Sequence, residues 1–162
     1  MTQVEFKQLI LEAKYFTKYE AILEQESLEI YGYEALSKFD IKNEIINTDE
    51  IFRKLHHNNR LFFELEKRNK RLQIENYPLN SKLFLNFDAD IVATKNQQNY
   101  WVEFLSNHKE QVVIEITENG SDDETSAQIM KDFSDWLNLN GFNSALDDFA
   151  QDGSMFSFHI MN

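Results

Sequence analysis

From residue 82 onward, strand-like and helix-like segments alternate without a break. "KLFLNF" (82–87) reads as a strand, 97–107 as a helix, and "QVVIEIT" (111–117) as a strand rich in β-branched residues. A second helix runs to about Asn140 and is stopped by Gly141, and "NSALDDF" (143–149) is a last strand. Parallel strands need crossovers of a dozen residues, usually helical, so this alternation restricts the chain to a mostly parallel α/β sheet.

The remaining segments fit around that frame. A short helix is expected over 3–14, and two strands, 18–24 and 28–39, joined by a short turn. That spacing predicts an initial antiparallel pair. A long helix is expected over 49–76, capped by Asn47 or Thr48 and ended by "YPLNS". "SDDE" (121–124) matches a capping box for the later helix, along which Ile129, Phe133, Trp136 and Leu137 form an apolar stripe. Trp101 and Trp136 are expected to pack on the sheet. The run "KRNKR" (67–71) reads as a solvated helix end, and a metal site at His56 and His57 is disfavoured because adjacent helical side chains diverge.

The 162 residues are 42% apolar, with fourteen Phe, one Pro, four Gly and no Cys. This is a globular composition without disulfides, zinc-thiolate sites or a cysteine nucleophile. The net charge of −12 disfavours nucleic acid and anionic membranes as partners. No apolar run is long enough to span a bilayer and the first residues do not form a signal peptide, so a cytoplasmic location and no direct membrane insertion are expected.

Oxygen-donor residues recur near the strand ends: Glu34, Asn86, Glu115, Asp147 and Asp148. That edge is where open α/β sheets and barrels bind ligands. Two like charges about 4 Å apart cost roughly 4 kcal/mol at an effective dielectric of about 20. Converging carboxylates therefore call for a cation, and an oxygen-only set favours a hard one such as Mg²⁺, Mn²⁺ or Ca²⁺.

"YEAL" (33–36), "LNFD" (85–88), "EITE" (115–118) and "ALDDF" (145–149) resemble, in order, the signatures of the EAL domain. EAL domains are bacterial phosphodiesterases that hydrolyse the second messenger cyclic di-GMP. The resemblance runs from about Lys18 onward and implies an α/β fold, a partial TIM-type (β/α) barrel. It implies one EAL-like domain over 1–162, cut short at its C-terminus. It further implies metal ligands at Glu34, Asn86, Glu115, Asp147 and Asp148, with Glu118 supporting them. Glu34, Asp147 and Asp148 would be catalytic, and Glu20, Leu36 and Lys38 would contact the ligand. The implied cofactor is Mg²⁺ or Mn²⁺, acting by two-metal hydrolysis of cyclic di-GMP to linear pGpG.

The sequence also departs from the family pattern. Glu20-Ala21 stands where the family has Gln-Pro, and Lys38 where it has an arginine that contacts phosphate. "DDFAQDG" lacks both small glycines of the family's loop. The family's catalytic lysine lies beyond the region matched, so little or no hydrolysis is expected of these 162 residues. A non-catalytic module that binds cyclic di-GMP or a protein partner is the alternative, and a homodimer would cover the open sheet edge.

Overall fold

A computed structural model of the chain describes residues 11–41, 44–56, 58–116 and 124–146. Its strands are β1 (Lys14–Leu23), β2 (Ile30–Ile41), β3 (Glu44–Ile46), β4 (Lys82–Phe87), β5 (Val112–Ile116) and β6 (Asn143–Leu146). Its helices are α1 (Thr48–Leu55), α2 (Asn59–Glu75), α3 (Lys95–Leu105) and α4 (Glu124–Leu139). The strands form one sheet in the order β1-β2-β4-β5-β6, with β3 paired antiparallel to β2. β4, β5 and β6 are parallel, as the alternation predicts. β1 and β2 are neighbours joined by a turn closed by Glu24 and Glu29, a connection short enough only for an antiparallel pair. The fold is therefore mixed α/β with a mostly parallel sheet.

The residues divide into two compact units: Met1–Glu20 with Ala35–Leu79, and Ala21–Glu34 with Asn80–Asn162. In the second unit every residue of β5 is buried, as expected of a central parallel strand covered on both faces. Leu83, Leu85 and Phe87 are buried, and the Phe87 ring meets Trp101 edge-on at 5.0 Å and stacks on Phe133 at 5.8 Å. Trp101 is fully buried and its indole N–H donates to the Ile91 carbonyl at 2.9 Å, so its packing role is borne out. Trp136 is half-buried, with the Lys95 ammonium 5.2 Å from its ring centroid. Residues of alternate parity, Phe84, Val113 and Ala145, form a smaller cluster on which Ile22 packs. Gly141 takes φ +74° at the end of α4, the left-handed conformation that stops a helix.

In the first unit the expected helix over 49–76 is two helices. His56 ends α1, and Asn58 caps α2 by accepting a hydrogen bond from Leu61 N–H. Asn47 caps α1 by accepting from Asp49 N–H at 2.9 Å. β3 is a strand that pattern reading passed over: three residues are too few to show a period. α3 begins two residues earlier than expected because Thr94 and Gln97 form a capping box.

The reading of "KRNKR" as a solvated end needs correction. Arg68 and Arg71 are exposed, but Asn69 and Lys70 are buried. With Glu66 and Gln73 they make a buried polar stripe at helical spacing. The expected helix at 3–14 lies almost wholly outside the described residues, as do the 121–124 cap box, His57 and the tail beyond 146.

Candidate functional site

The site is built on the face of the sheet that carries Phe84, Val113 and Ala145. Side chains alternate along a strand, so two residues beyond Phe84 on β4 stands Asn86, and two beyond Val113 on β5 stands Glu115. An apolar layer thus lies directly beneath a polar one. The parallel register sets Asn86 beside Glu115, and Glu115 beside Ala145 of β6. Glu34 of β2 completes the group: the Asn86 Nδ2 donates to Glu34 Oε1 at 2.7 Å. Glu34 lies well inside β2, not at its end. It belongs to the site because Asn86, one residue before the end of β4, bonds it.

Gly32 shows why Glu34 can come so close. A Cβ at Gly32 would sit 2.6 Å from the Lys82 carbonyl oxygen and 3.0 Å from the Phe84 ring. Only a residue without a side chain lets β2 approach β4 here.

Glu115 is 3% exposed, and Glu34 and Asn86 are half-buried. The Asn86 Oδ1 is buried and has no hydrogen-bond partner among the described residues. A buried amide oxygen left unbonded is costly unless something else engages it. Carboxylates on two strands and an amide oxygen between them form an oxygen-only donor set, which fits a hard divalent cation. Asp147, Asp148 and Glu118, also expected at this edge, lie outside the described residues.

The expected ligand contacts fall in the first unit. Glu20 is exposed and accepts a hydrogen bond from the Lys18 ammonium at 2.6 Å. That bond and charge hold the Glu20 carboxyl below its ordinary range, and the charge of Lys38 acts in the same direction. Lys38 and Lys18 line an open cleft of about 650 Å³ with Phe16, Ile45 and Thr48. Leu36 is half-buried on β2, two residues from Lys38. Lys18 was not singled out by sequence reasoning. Its signal is local: strand neighbours two apart share a face, which lets the Lys18 ammonium reach Glu20.

Among the described residues no helix is long and apolar enough to cross a membrane. Neither a protein-family model nor a curated protein sequence matches the chain. Solved structures do. The Bacillus subtilis YkuI protein, with an EAL domain, in complex with substrate c-di-GMP and calcium, superposes with a TM-score of 0.71 at 19% identity, covering 94% of this chain and 40% of that one. The Vibrio cholerae LapD S helix-GGDEF-EAL structure, bound to c-di-GMP, gives 0.70 at 15% identity over 94% of this chain and 39% of that one. An EAL domain protein from Listeria monocytogenes EGD-e gives 0.67 at 18% identity over 93% and 61%. The chain therefore spans about two to three fifths of the length of these proteins. At such identities the likeness is one of fold, and that fold is part of an EAL-domain barrel.

Proposed function

We propose that the chain is the N-terminal part of an EAL-type domain that binds cyclic di-GMP together with divalent cations, Mg²⁺ or Mn²⁺. The observation that carries this reading is the Asn86 amide, bonded to Glu34 and in register with Glu115. The fold shared with structures solved with c-di-GMP supports it. In this reading Glu34, Asn86 and Glu115 hold a cation, with Asp147 and Asp148 completing a two-metal centre. Bound there, the cations would activate a water and neutralise charge developing on phosphate oxygens. Asn86 orients the Glu34 carboxylate through its N–H, while its own buried oxygen has no hydrogen-bond partner among the described residues and is offered to the cation. Lys38 supplies a single positive charge to a ligand phosphate, without the two-pronged grip of an arginine.

Calorimetric titration of the 162-residue chain with cyclic di-GMP in Ca²⁺ or Mn²⁺ tests the reading. Saturable binding that needs the cation is expected, and Asn86→Ala should weaken it at least about tenfold. Metal-independent binding, or none, would refute it.

A non-catalytic module is the second reading. Glu20, exposed and ion-paired with Lys18, favours it, because a charged pair replaces the neutral glutamine implied by the family. A chain that binds cyclic di-GMP with cation but yields no pGpG on prolonged incubation supports this version. Measurable pGpG refutes it.

A further inference from the structure

The polar stripe of α2 has a bearing on β2 that packing alone does not explain. Gln73 is 1% exposed, and its Oε1 has no hydrogen-bond partner among the described residues, so a glutamine here is costly unless the bonds of its amide nitrogen matter. Its Nε2 donates to the Ala35 carbonyl at 3.1 Å and to the Ser37 hydroxyl at 3.0 Å. Thr48, the first residue of α1, donates from its hydroxyl to the Ser37 carbonyl at 2.8 Å. In a strand the carbonyls of residues i and i+2 point to the same edge, an edge ordinarily bonded to a neighbouring strand. At Ala35 and Ser37 side chains from two helices supply the donors. The Tyr19 hydroxyl in turn donates to the Gln73 carbonyl at 2.8 Å, fixing the end of α2 from which Gln73 reaches.

The span bonded in this way ends one residue before Lys38, whose side chain alternates to the opposite face of the strand. We infer that Gln73 is a positioning residue. By bonding β2 from behind, it sets where Lys38 presents its charge to a phosphate of the ligand. This rests on the proposed role of Lys38 in binding cyclic di-GMP. It adds that a buried residue far along the sequence, touching no ligand, governs that contact.

The test is a double-mutant cycle on cyclic di-GMP affinity, measured by calorimetry on the 162-residue chain at saturating Ca²⁺. The variants are Gln73→Met, Lys38→Ala and the two together. Methionine keeps the length of glutamine but cannot donate. Each single change is expected to weaken binding about tenfold, and the double variant no more than either single one, because both remove the same contact. Independent losses that multiply to about a hundredfold would overturn the inference while leaving the binding reading intact. So would Gln73→Met with wild-type affinity. Wild-type affinity in Lys38→Ala removes the role of Lys38 and the inference with it, and no binding by the wild-type chain removes the parent reading. If Gln73→Met does not fold, as judged by circular dichroism, Thr48→Val enters the same cycle, since it removes the bond to the Ser37 carbonyl from a half-buried site.

Discussion

Lys70→Met should destabilise the protein by about 3–5 kcal/mol, a large share of the roughly 5–15 kcal/mol that holds a domain folded. The Lys70 Nζ lies 2.6 Å from Glu66 Oε2, and the two side chains are only 2% and 4% exposed. At that distance the attraction is about 6 kcal/mol at an effective dielectric of about 20. Removing both charges from water costs several kcal/mol per ion, so the intact pair is close to neutral in net terms. Deleting the lysine forfeits the attraction but leaves the Glu66 desolvation in place. The Asn69 amide, which donates to Glu66 Oε1 at 2.7 Å, compensates only in part. Urea unfolding reads the outcome. With a slope of about 2 kcal/mol per molar, the midpoint should fall by roughly 2 M at unchanged slope. Glu66→Gln in the Lys70→Met background should recover most of the loss, because the neutral amide no longer needs a cation. A loss below about 1 kcal/mol, the range of exposed pairs, would refute the claim that this pair is a buried one.

Further outcomes are expected. Gly32→Ala should cost about 1–3 kcal/mol in urea unfolding, because its Cβ meets the Lys82 backbone and the strands must part; an unchanged midpoint would show that β2 and β4 are not so close. Burial raises the Tyr15 hydroxyl above its ordinary value of 10.0, against the opposing charge of Arg68, and burial likewise raises Tyr19. Between the unfolded and folded values the unfolded chain has released protons that the folded chain keeps. Stability should therefore be full below pH 10 and decline as pH rises beyond it. Tyr15→Phe should flatten part of that decline in unfolding midpoints measured from pH 9 to 11, and an identical slope in the variant would count against it. Glu115→Gln should abolish any rise in melting temperature on adding Mn²⁺ if the residue holds the cation, and a retained rise would assign the cation elsewhere.

The parallel sheet could be read from the sequence because each of its strands carries its own signal. β4 matches its expected bounds, and β5 and α4 fall within a residue or two where described, since apolar runs and helix stops are local features. Asn86 and Glu115 could be placed on one face from a strand's period of two, whereas Asp147 and Asp148 lie outside the described residues. β3 was not legible, and neither was the break between α1 and α2. Both depend on partners distant in sequence or on caps that compete with a continuous helical pattern. The charge run at 67–71 misled for a related reason: composition says how polar a segment is, but not whether it is covered.

By itself, then, the sequence determined the alternation of strands and helices from residue 82 onward and the parallel core, because these follow from local periodicity and chain connectivity. Tertiary structure alone decided that Asn86 bonds Glu34, that Gly32 admits the close approach of β2 and β4, and that Lys70 and Gln73 are buried. Those outcomes depend on which strands become neighbours and where each one stops. The energies involved, a desolvated charge or a carbonyl bonded from a helix, exist only once distant segments exclude water between them.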